Sequence, residues 1–328
     1  MAGRELSEVL DHVPDVVAEP DRLRAPGHWV LVGDFDGPVR AWRFGAVGPV
    51  RGSDRPWSPP GEWMSSMDRA QYTDGVRRVR DAIREGEVYQ ANLCRVLSAP
   101  LPVEPDAAAL ADLLAAGNPA PFAGAIQVPD CWVVSASPEL FLRIADGRIS
   151  SAPIKGTART PDGLTEKDRA ENVMITDLVR NDLQRVCRPG TVRVDHLLDV
   201  EEHPGLVHLV STVSGELRTD DWSELLAATF PPGSVSGAPK SSALRIIEQL
   251  ETAPRGPYCG LVGWVDVADD GTVTAELAVG IRTFWWSEGT LRFGTGAGIT
   301  WGSDPEGEWA ETELKAERLI ALASGVRA

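Results

Sequence analysis

Cysteine, histidine and long apolar runs are scarce in this sequence, and each scarcity removes a class of function. Four cysteines (Cys94, Cys131, Cys187, Cys259) are scattered through 328 residues with no CxxC pair. A disulfide framework and a cysteine-based zinc site both need closer, regular spacing, so neither is expected. The five histidines form no HExxH, and no serine sits in a nucleophile elbow. Zinc-dependent and serine-dependent hydrolysis therefore lack their residues. No apolar run nears the roughly 18 residues of a membrane span. Residues 1–6 lack the apolar core of a secretory signal, and a cytoplasmic location is the expectation. Basic residues are also in short supply: 32 Lys plus Arg stand against 48 Asp plus Glu, a net charge of −16. Nucleic-acid binding needs basic faces and is not expected. An anionic substrate would have to be met by cations gathered locally.

What remains is an ordinary folded composition, 43% hydrophobic and 24% charged, with no repeats and no low-complexity segment. Short strands are predicted at 29–32 and 39–44 around the Asp36-Gly37-Pro38 turn. The spacing of Tyr72, Val76, Val79 and Ile83 predicts a helix over 67–87 closed by Gly86, followed by a strand over 88–97. A second helix over 107–116 stops at Gly117-Asn118-Pro119. From Cys131 hairpins take over, with strands at 132–135, 140–144 and 149–154, the last two joined at Asp146-Gly147. The pattern returns at 261–267, 273–284 and 290–293, joined at Asp270-Gly271 and Glu288-Gly289. Tight turns between such runs mean antiparallel pairing. Helical spacing recurs at 167–187, 222–230, 241–250 and 307–322. The predicted class is α+β, large antiparallel sheets with helices packed outside. Residues 1–66 are expected to be a short β segment packed on a main domain of 67–328.

Several clusters could carry chemistry. Lys155 lies between a strand-like run and Gly156, and a lysine held among small residues can be reached and desolvated. Only a neutral lysine attacks, and burial lowers its pKa. Glu139 begins the hairpin whose far strand carries Lys155, which brings the two close. Asp168 and Glu171 are three apart on one helix, and Glu308 and Glu311 repeat that spacing on another. Four such carboxylates could converge on a hard cation, or could simply face solvent. Residues 233–241 resemble a phosphate loop but misplace the lysine, Lys240, and put Pro239 where a glycine belongs, so a nucleoside triphosphate site is not expected. Gly294-Thr295-Gly296-Ala297-Gly298 would let a ligand approach the backbone. Arg282, read as lying inside a strand, calls for an anionic partner. His208, in an apolar run, reads as a core histidine.

These residues stand in an order that identifies a resemblance. Pro153-Ile154-Lys155-Gly156-Thr157, Asp168 to Asn172, His208 to Thr212, Gly237-Ala238-Pro239-Lys240, Ile281-Arg282-Thr283 and Glu308 to Lys315 succeed one another as in chorismate-utilising enzymes. Over 67–324 the chain resembles component I of the aminodeoxychorismate synthases of folate biosynthesis. Anthranilate and isochorismate synthases typically carry alanine where this chain has Lys155.

The resemblance implies that Lys155 attacks C2 of chorismate with loss of the C4 hydroxyl, and that ammonia then enters at C4. It implies a general acid/base role for Glu139, direct Mg²⁺ ligation by Glu171 and Glu311, and retention of the metal's waters by Asp168 and Glu308. Arg282, Lys315 and the N–H groups of Gly296, Ala297 and Gly298 would contact the anion, while Thr157, His208, Thr212, Tyr258 and Lys240 would complete the pocket. No cysteine sits in a glutaminase-like turn, so ammonia is expected from a separate glutaminase subunit. The alternatives are an anthranilate or isochorismate synthase, or a catalytically silent chorismate-binding scaffold.

Overall fold

The computed structural model describes residues 3–326 apart from 159, 204 and 205, with the backbone alone at 157, 203 and 206. The chain runs β1 (Arg4–Val13), β2 (Gly27–Gly33), β3 (Val39–Pro49), β4 (Met64–Ser65), α1 (Arg69–Arg84), β5 (Gln90–Pro100), α2 (Ala107–Gly117), β6 (Phe122–Val128), β7 (Cys131–Ser137), β8 (Leu140–Ala145), β9 (Arg148–Ala152) and β10 (Ile154–Ala158). It continues with α3 (Glu166–Gln184), β11 (Arg193–His203), β12 (Leu206–Glu216), α4 (Trp222–Thr229), β13 (Gly237–Ala238), α5 (Lys240–Leu250), β14 (Leu261–Val267), β15 (Val273–Val279), β16 (Thr283–Ser287), β17 (Thr290–Ile299) and α6 (Pro305–Ala323).

The strands form two antiparallel sheets. The larger has ten strands in the order β1-β3-β2-β14-β15-β8-β9-β12-β10, with β11 also paired to β12. The smaller has seven, in the order β13-β5-β17-β16-β7-β6, with β4 on β5. The expected α+β architecture is what the chain adopts. The hairpin turns explain the pairing: Asp146 and Gly147, and likewise Glu288 and Gly289, all have positive φ. Two-residue turns of that hand match the twist of the flanking strands. The line between 1–66 and 67–328 crosses a continuous sheet, because β2 pairs with β14 over seven residues from Gly33↔Leu261 to Gly27↔Val267.

Helices cover the outer faces. Leu110 and Leu114 of α2 and Leu319 of α6 pack on Val134, Phe284 and Phe293 of the smaller sheet. Burial of each such side chain contributes about 1.5–3 kcal/mol. Ile175, Val179 and Leu183 of α3 join the main core with Leu142 and Ile149 of the larger sheet. Among the described residues no helix is long and apolar enough to cross a membrane.

Three features differ from the sequence reading. The run 273–284 is two strands in different sheets, broken at Gly280–Arg282. A Cβ at Gly280 would lie 2.1 Å from the Pro257 carbonyl oxygen, and Arg282 adopts φ 53°, so the chain turns here from one sheet into the other. The run 149–154 also breaks, at Pro153, and β10 leaves β8 to pair with β12. Finally, β1, β6 and β11 carry no clear alternation and were not anticipated. β1 pairs with β3, whereas β6 and β11 pair with the strands that follow them, β7 and β12.

Candidate active site

Lys155 and Glu139 are brought together by the β8–β9 hairpin and the bend at Pro153. Glu139 is pinned through its backbone. Its N–H donates to Ser137 Oγ at 3.2 Å, and its carbonyl accepts from the Val279 N–H at 3.0 Å. The side chain is 4% exposed. Burial pushes its carboxyl up to about 7, although the Ser234 hydroxyl, Lys155, the Ile154 N–H and Lys315 all pull the other way. Glu139 is therefore divided between acid and base near neutrality.

Lys155 donates to the Ser234 carbonyl at 3.1 Å. It is partly accessible, as a group that meets a substrate must be. Burial and the nearby Lys315 ammonium lower its pKa, against Glu171, Glu139 and Glu311, which raise it. A fraction of the amine is thereby made neutral, the form that can attack.

A second layer of charge comes from α3 and α6. Glu171 and Glu308 face each other across Lys167, whose Nζ is 3.6 Å from Glu171 Oε1 and 3.6 Å from Glu308 Oε1. Burial raises the pKa of both carboxyls. Glu311 behaves oppositely: burial would raise it, but Lys315 at 2.6 Å, Lys167 and Lys155 together lower it. Glu171 Oε1 is buried without a hydrogen-bond donor, as is Gln90 Oε1. An oxygen-only donor set with an orphaned carboxylate atom suits a hard cation such as Mg²⁺. As the side chains stand, Lys167 and Lys315 neutralise these carboxylates, and no group of three or more His, Cys, Asp or Glu among the described residues is close enough to grip a metal.

The glycine strand forms another wall. β17 pairs with β16 only as far as Phe293, while its pairing with β5 continues to Ile299. One edge of Gly294 to Ile299 is thus free of a ladder partner, and Lys315 Nζ donates to Gly296 O there at 3.0 Å. A Cβ on Gly298 would stand 3.4 Å from Lys155 Nζ and 2.2 Å from Gln90 Nε2. Only glycine admits both side chains. Ala297 is fully buried in the same strand.

The remaining predicted residues divide. Tyr258 is buried in the core, its ring against Gly294 and its hydroxyl 3.9 Å from Cys94 Sγ, so it shapes the glycine strand from the core side. Gly294→Ala would place a Cβ 2.0 Å from the Tyr258 ring. It is expected to cost about 1–3 kcal/mol by overpacking, read as a lower denaturation midpoint. Gly48→Ala, with open space around it, should leave the midpoint in place.

His208 is buried on β12, opposite Thr157 in the β10 register. The Thr157 side chain lies outside the described part. Arg282 sits between β15 and β16 rather than inside a strand. Burial lowers its pKa, and its nearest partner is Asn118 Oδ1 at 3.4 Å, not a carboxylate.

Three further predicted residues have other partners in the fold. Asp168 Oδ2 accepts from the Thr165 N–H at 2.8 Å and from its hydroxyl at 2.7 Å, so it caps α3. Thr212 faces an outer groove with Arg143, Arg148 and Ser214, because strand alternation sends Ser211 inward and Thr212 outward. Lys240 is bound to Asp182 Oδ2 at 2.8 Å and to the Thr229 carbonyl at 3.0 Å, which commits its charge within the protein.

Ser234, Lys167 and Gln90 were not singled out from the sequence. Lys167 alone left a signal, its i, i+4 spacing from Glu171.

The site thus holds a recessed amine, an acid near its midpoint, a layer of carboxylates and ammoniums, and a strand edge without a ladder partner. That combination fits an anionic small molecule undergoing substitution. The chain is 33% identical to aminodeoxychorismate synthase component 1 of Salmonella typhimurium, over 97% of this chain and 74% of that protein. It is 38% identical to anthranilate synthase component 1 of Thermus thermophilus, over 96% of this chain and 71% of that one. The fold matches anthranilate synthase component I from Streptococcus pneumoniae with a TM-score of 0.82 at 21% identity, covering 97% of this chain and 92% of the other. Residues 49–321, which contain every candidate site residue named above, match the family described as chorismate binding enzyme. With the match running through the whole site and most of the chain, this protein belongs to the chorismate-binding enzyme family.

Proposed function

We propose that the chain converts chorismate and ammonia into 4-amino-4-deoxychorismate and water, with Lys155 as a covalent nucleophile. Its relatives divide between the aminodeoxychorismate and anthranilate reactions, so overall identity does not choose between them. The observation that carries the choice is Lys155 itself: a partly accessible amine of lowered pKa, beside a carboxyl poised near 7.

The resting pair already contains what the reaction needs. The reactive form pairs a neutral Lys155 amine with a protonated Glu139, and burial favours the uncharged form of each. Lys155 Nζ bonds to C2 as the C4–O bond breaks, and the Glu139 proton leaves with that oxygen as water. Ammonia then bonds to C4, the Nζ–C2 bond breaks, and Glu139 recovers a proton from the incoming nitrogen. Lys315 and the free edge of β17 hold the substrate's anionic groups, and Arg282 adds a guanidinium without a carboxylate partner among the described residues. Glu171 and Glu311 would hold Mg²⁺ directly and Glu308 through water, and bound Mg²⁺ supplies charge neutralisation of the substrate carboxylate.

A separate glutaminase would deliver the ammonia. All four cysteines of this chain are buried, and burial pushes Cys131 up to about 12 and Cys187 up to about 11, which makes those two poor nucleophiles toward glutamine.

The test is product analysis with chorismate, Mg²⁺ and ammonium. The expected product yields 4-aminobenzoate only after an aminodeoxychorismate lyase is added, and glutamine does not replace ammonium. Fluorescent anthranilate formed without lyase would replace this reading with that of the sibling enzyme.

A further inference from the structure

The Gly-Ala-Pro-Lys run is left without a task once Lys240 is found on Asp182. Its position supplies one. A cavity of about 20 Å³ lies behind Glu139, lined by Glu139, Ser151, Asp182, Thr229 and Ser234 among apolar neighbours. A space of roughly 10–15 Å³ holds one water, provided two to four polar groups can bond it. Two of the groups here are carboxyls. Asp182 lines the cavity, and it and Lys240 keep 10% and 18% side-chain exposure, so the pair links the cavity to solvent without passing Lys155, which is not among the lining residues.

We propose that Asp182, held by Lys240, acts on Glu139 through one water in this cavity, forming a rear proton path between Glu139 and solvent. Bound substrate covers the front of Glu139, while the rear path stays open. When Glu139 lacks its proton, Asp182 takes one from solvent and hands it to the water, which passes one of its own to Glu139 and leaves Asp182 a carboxylate again. The water remains H₂O and no charge accumulates.

Every charged neighbour is consistent with this division. Glu139 faces Lys155 from β10 and Lys315 from α6, with the Ser234 hydroxyl as its neutral partner. Asp182 faces Lys240 from α5 and Arg185 at the end of its own helix, and burial raises its pKa against both. Asp182 is thus a positioning residue that works through Glu139 without touching substrate. The inference rests on Glu139 being the acid of the proposed reaction.

The two partners carry opposite charge, so their removal should act in opposite directions. Asp182→Asn leaves the Lys240 charge uncompensated and favours the Glu139 carboxylate. The basic limb of chorismate consumption against pH is expected to move down by about one unit. Lys240→Met leaves Asp182 uncompensated, and the limb is expected to move up. KM at the pH optimum should stay within a few-fold for both, and a high-resolution crystal structure should show one water in the cavity.

An empty cavity, or shifts in the same direction, would overturn the relay. So would a limb that Glu139→Gln removes but neither variant moves, and in that case the acid role of Glu139 would survive. A limb that persists in Glu139→Gln would instead remove that role, and the relay with it. Far-ultraviolet circular dichroism identifies a variant that has failed to fold. Asp182→Glu, which keeps the charge, then supplies the arm: it should restore the wild-type limb, and failure to do so counts against the proposal.

Discussion

Replacing Lys155 with alanine is expected to lower chorismate consumption by roughly three orders of magnitude and to abolish any substrate-derived mass adduct on the protein. The size follows from what is lost. The amine is the nucleophile that the protein itself supplies in the proposed chemistry, and without it ammonia must displace a poor leaving group in one step. Loss of charge is a competing explanation, because Lys155 also lowers the Glu139 pKa and faces Glu171 and Glu311. Lys155→Arg separates the two. It keeps the positive charge but cannot be deprotonated, so it should be as inactive as the alanine variant. Intact-mass spectrometry after mixing with chorismate, together with the consumption rate, measures both quantities. A rate within a few-fold of wild type in either variant would end the nucleophile assignment.

Glu139→Gln is expected to cost about 10²–10⁴ in kcat, the usual range for a positioned acid, with KM changed only a few-fold. Glutamine matches the shape of the carboxyl but has no proton to give. The pH dependence follows from the same environment. Glu139 titrates at about 7 and must be protonated to assist the departing oxygen, so wild-type turnover falls as pH rises through that value. The variant's residual activity should lack this limb. On the acid side the Glu139 charge raises the Lys155 pKa. Removing it should move the Lys155 limb to lower pH, since more of the amine is then neutral. Rates across pH 5 to 9 would show both changes. An unaltered profile would mean that another group supplies the proton.

Much of the architecture could be read along the chain, because it depends on neighbours in sequence. The turns at Asp146-Gly147 and Glu288-Gly289 declare themselves through residues that tolerate positive φ, and antiparallel pairing follows. Helices α1 and α2 show their apolar spacing and their ends. The proximity of Glu139 to Lys155 was also legible, since one hairpin joins them.

Where the structure adds to the reading, the causes are local too. Asp168 belongs to a Thr-x-x-Asp cap, a signature present in the sequence but outweighed by its spacing from Glu171. The face that Thr212 takes depends on which side β12 buries. Nothing near Ser211 or Thr212 in the sequence fixes that side. The break at Gly280 to Arg282 was hidden within an apolar run, and it arises from crowding by Pro257, more than twenty residues upstream.

The sequence alone determined the class of fold, the family and the set of ionisable groups from which a site could be made. Those depend on composition, periodicity and the order of short motifs. The tertiary structure decided which groups meet. It turned Lys240 onto Asp182, used Asp168 as a cap, and set Lys167 between Glu171 and Glu308. It also buried Glu139 deeply enough to raise its carboxyl to about 7. The reason is electrostatic and spatial: a pKa reflects the solvent and charges within a few ångströms. Here those charges come from β10, α3 and α6, and only folding brings them together.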